Sequence, residues 1–355
     1  MRALRRSDRD ALDQEHLSES AVLLWVTIAI AVAFDFTNGF HDTANAIATS
    51  ISTRALSPQA AVLVSATFNL IGAVITVAFF QAKVSNTIAS TLAFKAGLVV
   101  IMAALVGAIC WNLITWYLGL PSSSTHALIG GLCGAGIAAA HGLNGVRWAA
   151  LAKQVTSLVI SPPVGFIAGA LFVALLMLVV HRLKLRPAPL NRTFRGLQVL
   201  TAAFVSYSHG ANDAQKTMAA ITLALVASGD LPKFQVPLWV VILSAATIAF
   251  GTYAGGWRII RTLGWSILKL DPATGMSAQL TGATVIQVAT LAGLPVSTTH
   301  VITGSVMGVG ASRRLSAVRW GLGANIAAAW IITIPATASM AWIFYAILST
   351  AGLRA

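Results

Sequence analysis

Three stretches, Leu98–Leu113, Gly165–Val180 and Ile326–Leu348, run almost without polar side chains and without the alternation of a half-buried strand. In lipid, runs of that kind satisfy their backbone hydrogen bonds as helices, and barrel strands would need a period of two that is missing here. Composition agrees: 57% hydrophobic and 9% charged residues in 355 leave too little polar surface to cover a water-soluble globule of that size. The chain therefore reads as an all-α integral membrane protein.

The formal charge of +13 does not point to nucleic acid, because Lys and Arg fall in short clusters between apolar spans, as loop cations facing anionic lipid do. Cys110 and Cys133, the two cysteines, both sit in apolar helical segments and read as packing residues rather than a disulfide or metal pair. Residues 1–20 mix Arg2, Arg5, Arg6 and Arg9 with five acids and read as a solvated, mobile polar tail. The apolar run Ala21–Phe34 has the length of a signal-peptide core, but cleavage there would cut at the edge of the motif described below, so it reads as the start of the first membrane helix.

Apolar segments fall at about 21–49, 59–80, 96–118, 123–140 and 155–180, and again at about 197–227, 236–256, 276–294, 299–311 and 321–348. The two series match part for part. Asp42 corresponds to Asp213, Pro121 to Pro295, Arg147 to Arg319 and Pro162 to Pro335, at offsets of 171, 174, 172 and 173 residues. Such regularity marks an internal duplication, with a first repeat at 21–180, a basic linker at 181–195 and a second repeat at 196–355. Counting the segments around Pro121 as two spans or as one re-entrant hairpin leaves an odd number of crossings per half, and an odd unit repeated in one chain is inverted. The expected architecture is an inverted-repeat transporter with broken helices and two helical hairpins.

Orientation follows from the linker, where Arg182, Lys184, Arg186, Arg192 and Arg195 form the densest basic cluster and are expected in the cytoplasm. This puts twelve Lys and Arg inside and six outside, with both termini outside; the four arginines of the tail run against the rule.

Of ten acidic residues, Asp35, Asp42 and Asp213 are expected at membrane depth. A charge there costs about 3 kcal/mol or more, so a chain that keeps it in both repeats is expected to use it. Asp35 aligns with Ser206 and has no carboxylate mate, which ranks it below the pair. Gly39 and Gly210, each three residues before its Asp, are expected to let the helix break near 38–41 and 208–211 and free carbonyls for ligands.

The second pair of motifs is Pro121-Ser-Ser-Ser-Thr-His126 and Pro295-Val-Ser-Thr-Thr-His300. Proline ends one helix, and hydroxyl side chains then open the next, so each stretch offers unpaired N–H groups, a positive dipole end and Ser/Thr donors. Two such ends facing each other can clamp one tetrahedral anion through Ser123, Ser124, Thr125, Ser297, Thr298 and Thr299. Beside them Asp42 and Asp213 favour phosphate, whose OH groups a carboxylate accepts, over sulfate, which has no proton to give.

A coupling cation would take oxygen ligands from Asn38, Asp42, Asn45, Asn212 and Asp213. Lys216 stands where the first repeat has Asn45; it is placed to compensate an Asp or touch the anion, or else to snorkel to the interface. His41, His126, His209 and His300 lie in the same motifs, suited equally to proton transfer and to buttressing helix ends.

Together, Asn38-Gly-Phe-His-Asp-Thr-Ala-Asn45, Ser208-His-Gly-Ala-Asn-Asp-Ala-Gln-Lys216 and the two Pro-x-Ser-Ser/Thr-Thr-His stretches resemble the inorganic phosphate transporter (PiT) family in its shorter bacterial form. The resemblance covers nearly the whole chain after the tail. It implies phosphate uptake by symport with H+ or Na+, in some bacterial members as a neutral divalent metal–phosphate complex, with no cofactor. It also implies a plasma-membrane, multi-pass fold, often a homodimer, with two hairpin tips at the substrate. Residue by residue it carries over to Asp42, Asn45, Ser123, Ser124, Thr125, Asn212, Asp213, Ser297, Thr298 and Thr299. His41 stands where the second repeat has Asn212, so the half-sites differ chemically.

Three rivals remain: a sulfate or other oxyanion permease of the same family, an intramembrane hydrolase using Ser124, His126 and Asp42, and a passive anion channel. Duplication of every component argues against the hydrolase, and the aspartates raise the barrier an anion channel must lower.

Overall fold

A computed structural model describes the backbone of residues 6–184 and 187–353 and the side chains of 20–184 and 190–353. Residues 1–5 of the tail and Leu185 and Arg186 of the linker lie outside the described residues. The first half consists of α1 (Arg6–Ser52), α2 (Pro58–Phe80), α3 (Lys83–Ala89), α4 (Leu98–Leu118), α5 (Ser124–Ala139) and α6 (Trp148–Arg182). The second half follows the same order with α7 (Pro187–Ser228), α8 (Leu238–Ala254), α9 (Trp257–Arg261), α10 (Pro272–Leu291), α11 (Thr298–Arg313) and α12 (Trp320–Thr350). Among the described residues there is no strand, only an isolated bridge between Leu92 and Val146.

Five of these helices, with Ser20–Ser52 as the membrane part of α1, are long and apolar enough to cross a bilayer, and α8 with the segment after it makes a sixth candidate bent by 62°. Helices α5 and α11 have 16 residues each. At 1.5 Å per residue that is about 24 Å, short of the roughly 30 Å hydrocarbon core, so each is one arm of a hairpin rather than a full span.

Local chemistry explains where the helices start and stop. Ser57 caps α2 with Pro58 in its first turn, and Asp271 caps α10 in a capping box with Thr274, again with proline next. Chain reversal after α4 and α10 uses Gly119 (φ 67°) and Gly293 (φ 70°), mates at a spacing of 174 residues in a left-handed conformation that L side chains avoid. Ser123 accepts the His126 N–H at 3.2 Å, and Ser297 accepts the His300 N–H at 3.2 Å.

The halves interdigitate. Helix α5 packs against α12, and α11 against α6, while α1 lies on α8 and α7 on α2. Glycine sets the closeness of these crossings. A Cβ on Gly134 would overlap the Ala338 carbonyl, and one on its mate Gly308 the Phe166 carbonyl. Membrane helices gain contact this way because lipid tails are as apolar as the side chains they displace.

Several expectations are corrected here. Helices α1 and α7 run unbroken through 38–41 and 208–211, so the motifs release no backbone carbonyls. Gly39 and Gly210 serve packing instead: a Cβ would overlap backbone of Ile248 and Gly251 in α8, or of Asn69 in α2. The break in the second half falls between α8 and α9, at Gly255 and Gly256, and α2 gives way to α3 at Gln81 and Ala82. From Arg6 the backbone of the tail is helical and continuous with α1. The linker is shorter than 181–195, because α6 reaches Arg182 and α7 begins at Pro187, which puts Arg192 and Arg195 on a helix.

Gly134→Val and Gly308→Val should each cost about 1–3 kcal/mol through overpacking, read as a lower melting temperature in detergent. Gly196→Ala, where a Cβ meets nothing within 4 Å, should melt no earlier than the parent protein.

Candidate functional site

The long helices α1 and α7 bring Asp42 and Asp213 into one buried cluster. Both carboxylates are at most 1% exposed. Between them stands His209, whose Nε2 is 3.1 Å from Asp213 Oδ2 and 4.0 Å from Asp42 Oδ2. The His209 ring lies one turn before Asp213 on α7 and is held from behind, its Nδ1 3.0 Å from Asn69 Oδ1. Asn69 in turn donates to Thr252 on α8 at 2.8 Å.

From the other side come the first turns of α5 and α11. Ser124 donates to Asp42 Oδ2 at 3.0 Å, Thr299 to Asp42 Oδ1 at 3.3 Å, and Thr298 to Asp213 Oδ2 at 3.3 Å. His41 Nδ1 is 2.7 Å from Asp42 Oδ1, and its Nε2 faces Thr115 at 3.2 Å and Ser122 at 3.4 Å. The hairpin tips touch each other, since Thr125 donates to the Val296 carbonyl at 3.1 Å.

Lys216 does not snorkel. One turn after Asp213, and 1% exposed, it holds Asp213 Oδ2 at 2.9 Å and Ser124 Oγ at 2.6 Å, with Thr125 Oγ1 and Asn38 Oδ1 both at 3.4 Å. A buried ammonium is sustained by such oxygen partners and would be costly without them. Asn45 makes the matching reach in the first half, donating to Thr299 at 2.9 Å and Thr298 at 3.5 Å.

Other candidates are placed differently. Ser123 and Ser297 spend their oxygens as helix caps. Asn212 turns its amide to Thr290 on α10 at 2.8 Å, because one residue before Asp213 it projects from another side of α7. His126 and His300 meet each other, ring centroids 4.6 Å apart, with His300 stacked on Trp330 at 3.8 Å. They brace the two hairpin arms. Asp35 is fully buried, with neither oxygen in a well-formed hydrogen bond and Thr217 and Lys216 as polar neighbours.

Sequence reasoning did not find Asn69, Thr115 or Thr252. Their signal is an isolated Asn or Thr in an apolar helix, too common to be decisive before the helix contacts are known. Chemically the cluster offers hydroxyl donors and two adjacent carboxylates. Asp42, His209 and Asp213 each bring a ligand atom within 4.8 Å of the others, so they could also hold a cation, though Lys216 already occupies Asp213 Oδ2.

A model of the phosphate transporter family matches residues 38–341, a span that starts on the first motif of the cluster and ends within α12. The chain belongs to the phosphate transporter family. Relatives from Rhizobium meliloti (49% identical, 91% of this chain and 96% of the relative) and Bacillus subtilis (46%, 92% and 98%) are each described as "Probable low-affinity inorganic phosphate transporter". A solved structure described as "The sodium-dependent phosphate transporter" shares the fold with a TM-score of 0.84 at 25% identity, covering 93% of this chain and 99% of that one. Family members and these relatives are transporters, which removes the hydrolase reading. With its membrane-length apolar helices, this member of the phosphate transporter family is a multi-pass membrane protein.

Asn69→Leu should strip His209 and Thr252 of a buried partner. We expect a loss of about 1–3 kcal/mol in stability, measured by thermal melting of the purified protein.

Proposed function

We propose that the chain imports inorganic phosphate across the plasma membrane by symport with H+ or Na+. The observation that carries this reading is the pairing of two buried carboxylates with hydroxyl-bearing helix starts from both halves of the chain. Ser124, Thr298 and Thr299 would turn their hydroxyls from the carboxylates to the phosphate oxygens, and the N-terminal amides of α5 and α11 add their dipoles. Asp42 and Asp213 would accept the phosphate OH groups, a role that sulfate leaves unfilled. A coupling cation would take oxygens of Asp42 and Asn45. The family membership and the names of the relatives support phosphate as the substrate.

In the same reading the two halves are inverted copies, with the segment around 183–186 in the cytoplasm and both chain ends outside. The reciprocal packing of α5 on α12 and α11 on α6 supports a two-fold relation between the halves, and an odd number of crossings per half would put its axis in the membrane plane.

Purified protein in liposomes, with an imposed pH or Na+ gradient and labelled phosphate or sulfate offered side by side, tests the reading. Phosphate should accumulate above its external concentration only with a gradient. Leak of phosphate down its own gradient, independent of voltage and unaffected by pH or Na+, would make the protein a channel, and preference for sulfate would change the substrate.

Asp42→Asn and Asp213→Asn should each abolish accumulation while leaving a folded protein; normal uptake by either removes that residue from the site. Asp35→Asn should keep most of the uptake, because Asp35 has no mate and neither of its oxygens is hydrogen-bonded to the cluster. Equal loss there would show that symmetry ranks the acids wrongly.

A further inference from the structure

Lys216 and Asn45 are mates in the two repeats and make matching connections. Asn45 donates to Thr298, which donates to Asp213; Lys216 donates to Ser124, which donates to Asp42. The order of residues in the two paths is alike, but the Asn45 path is looser, at 3.5 and 3.3 Å against 2.6 and 3.0 Å, and the charge differs. One path ends in a neutral amide and the other in an ammonium.

Around the Lys216 Nζ four oxygens of four different residues converge, those of Asp213 at 2.9 Å, Ser124 at 2.6 Å, and Thr125 and Asn38 at 3.4 Å. A carboxylate, a carboxamide oxygen and two hydroxyls are the ligand set a monovalent hard cation takes. All four residues are buried, so no bulk water competes for the position. In the first half the mates of Asp213 and Lys216 are Asp42 and Asn45, and Asn45 Oδ1 is a buried acceptor with no hydrogen-bond partner among the described residues.

We propose that the Lys216 ammonium is a resident cation: it fills, by a covalent tether, the cation position of the second half-site, so that of the two half-sites only the one at Asp42 and Asn45 is open to a free coupling cation. This deepens the symport reading and rests on it. Of the two paired carboxylates, Asp213 then carries a tethered ammonium partner, whereas Asp42, held by His41 and two hydroxyls, is the one left for a mobile cation. A transporter built this way takes at most one alkali cation at this pair per phosphate, where two amide-bearing half-sites would take two. Lys216 is thus a determinant of cation stoichiometry rather than a phosphate ligand.

The experiment uses full-length protein in detergent, with labelled phosphate binding measured in choline, Na+, K+ and Li+ at constant ionic strength. In Lys216→Asn, phosphate affinity in choline should fall by about a hundredfold, the scale expected when a buried carboxylate loses its partner. Na+ or another alkali cation should restore it, with one more cation bound per chain than in the parent protein. Unchanged affinity in choline, or a loss that no alkali cation restores in a protein that still melts cooperatively, overturns the proposal.

A second arm uses the parent chain and needs no folded variant. Labelled Na+ bound at saturating phosphate should not exceed one per chain, and two would overturn the proposal. If the parent chain binds no phosphate at all, it is the symport reading that fails; if it binds phosphate but these Na+ results go the other way, the assignment of Lys216 alone is lost.

Discussion

Two carboxylates held around a single imidazole, both out of reach of bulk water, are the constraint to which the other polar features of the interior answer. Each would be expelled or neutralised if it stood alone in hydrocarbon. Compensation comes from six helices at once: His41 and Asn45 on α1, His209 and Lys216 on α7, hydroxyls from the starts of α5 and α11, and the braces Thr115 and Asn69 on α4 and α2. No element can be moved without leaving a buried polar group unpaired. This same convergence makes the cluster suited to an ion that carries both oxygens and protons.

Close packing is what lets the cluster form. Gly39 and Gly210 lie on the same helices as the aspartates, three residues away, and they let α1 meet α8 and α7 meet α2 at backbone distance. The sequence shows glycine beside a buried acid in both repeats, and that coincidence can be read in two ways. Relaxed backbone and tight crossing both call for glycine, and only the helix contacts decide between them. Here the crossing wins, and the helices stay whole.

Much of the architecture was legible because it is written twice. Matched offsets pair the helices of the two halves, and the proline-hydroxyl stretches do open α5 and α11, although Ser123 and Ser297, expected to bind the anion, cap those helices instead. Asp42 and Asp213 stood out because an acid in an apolar helix is expensive. What stayed hidden depends on angular position and reach. Asn212 sits next to Asp213 in the chain but about 100° around the helix from it, and it faces α10. Lys216 has a side chain long enough either to reach water or to bend inward, and its partners other than Asp213 come from α1 and α5, far away in sequence. Asn69 and Thr252 are ordinary polar residues until α2 and α8 are laid beside each other.

Exchange of partners between the halves has a consequence for biogenesis. Helix α5 finds its cover in α12, which is synthesised only after every helix from α6 to α11 has been made. Until then the first hairpin must wait in the bilayer or the insertion machinery with a glycine-lined face and its hydroxyl-bearing tip uncovered. The buried polar cluster is therefore among the last features of the molecule to be fully enclosed, and a chain cut short before α12 would leave its first hairpin without its main cover.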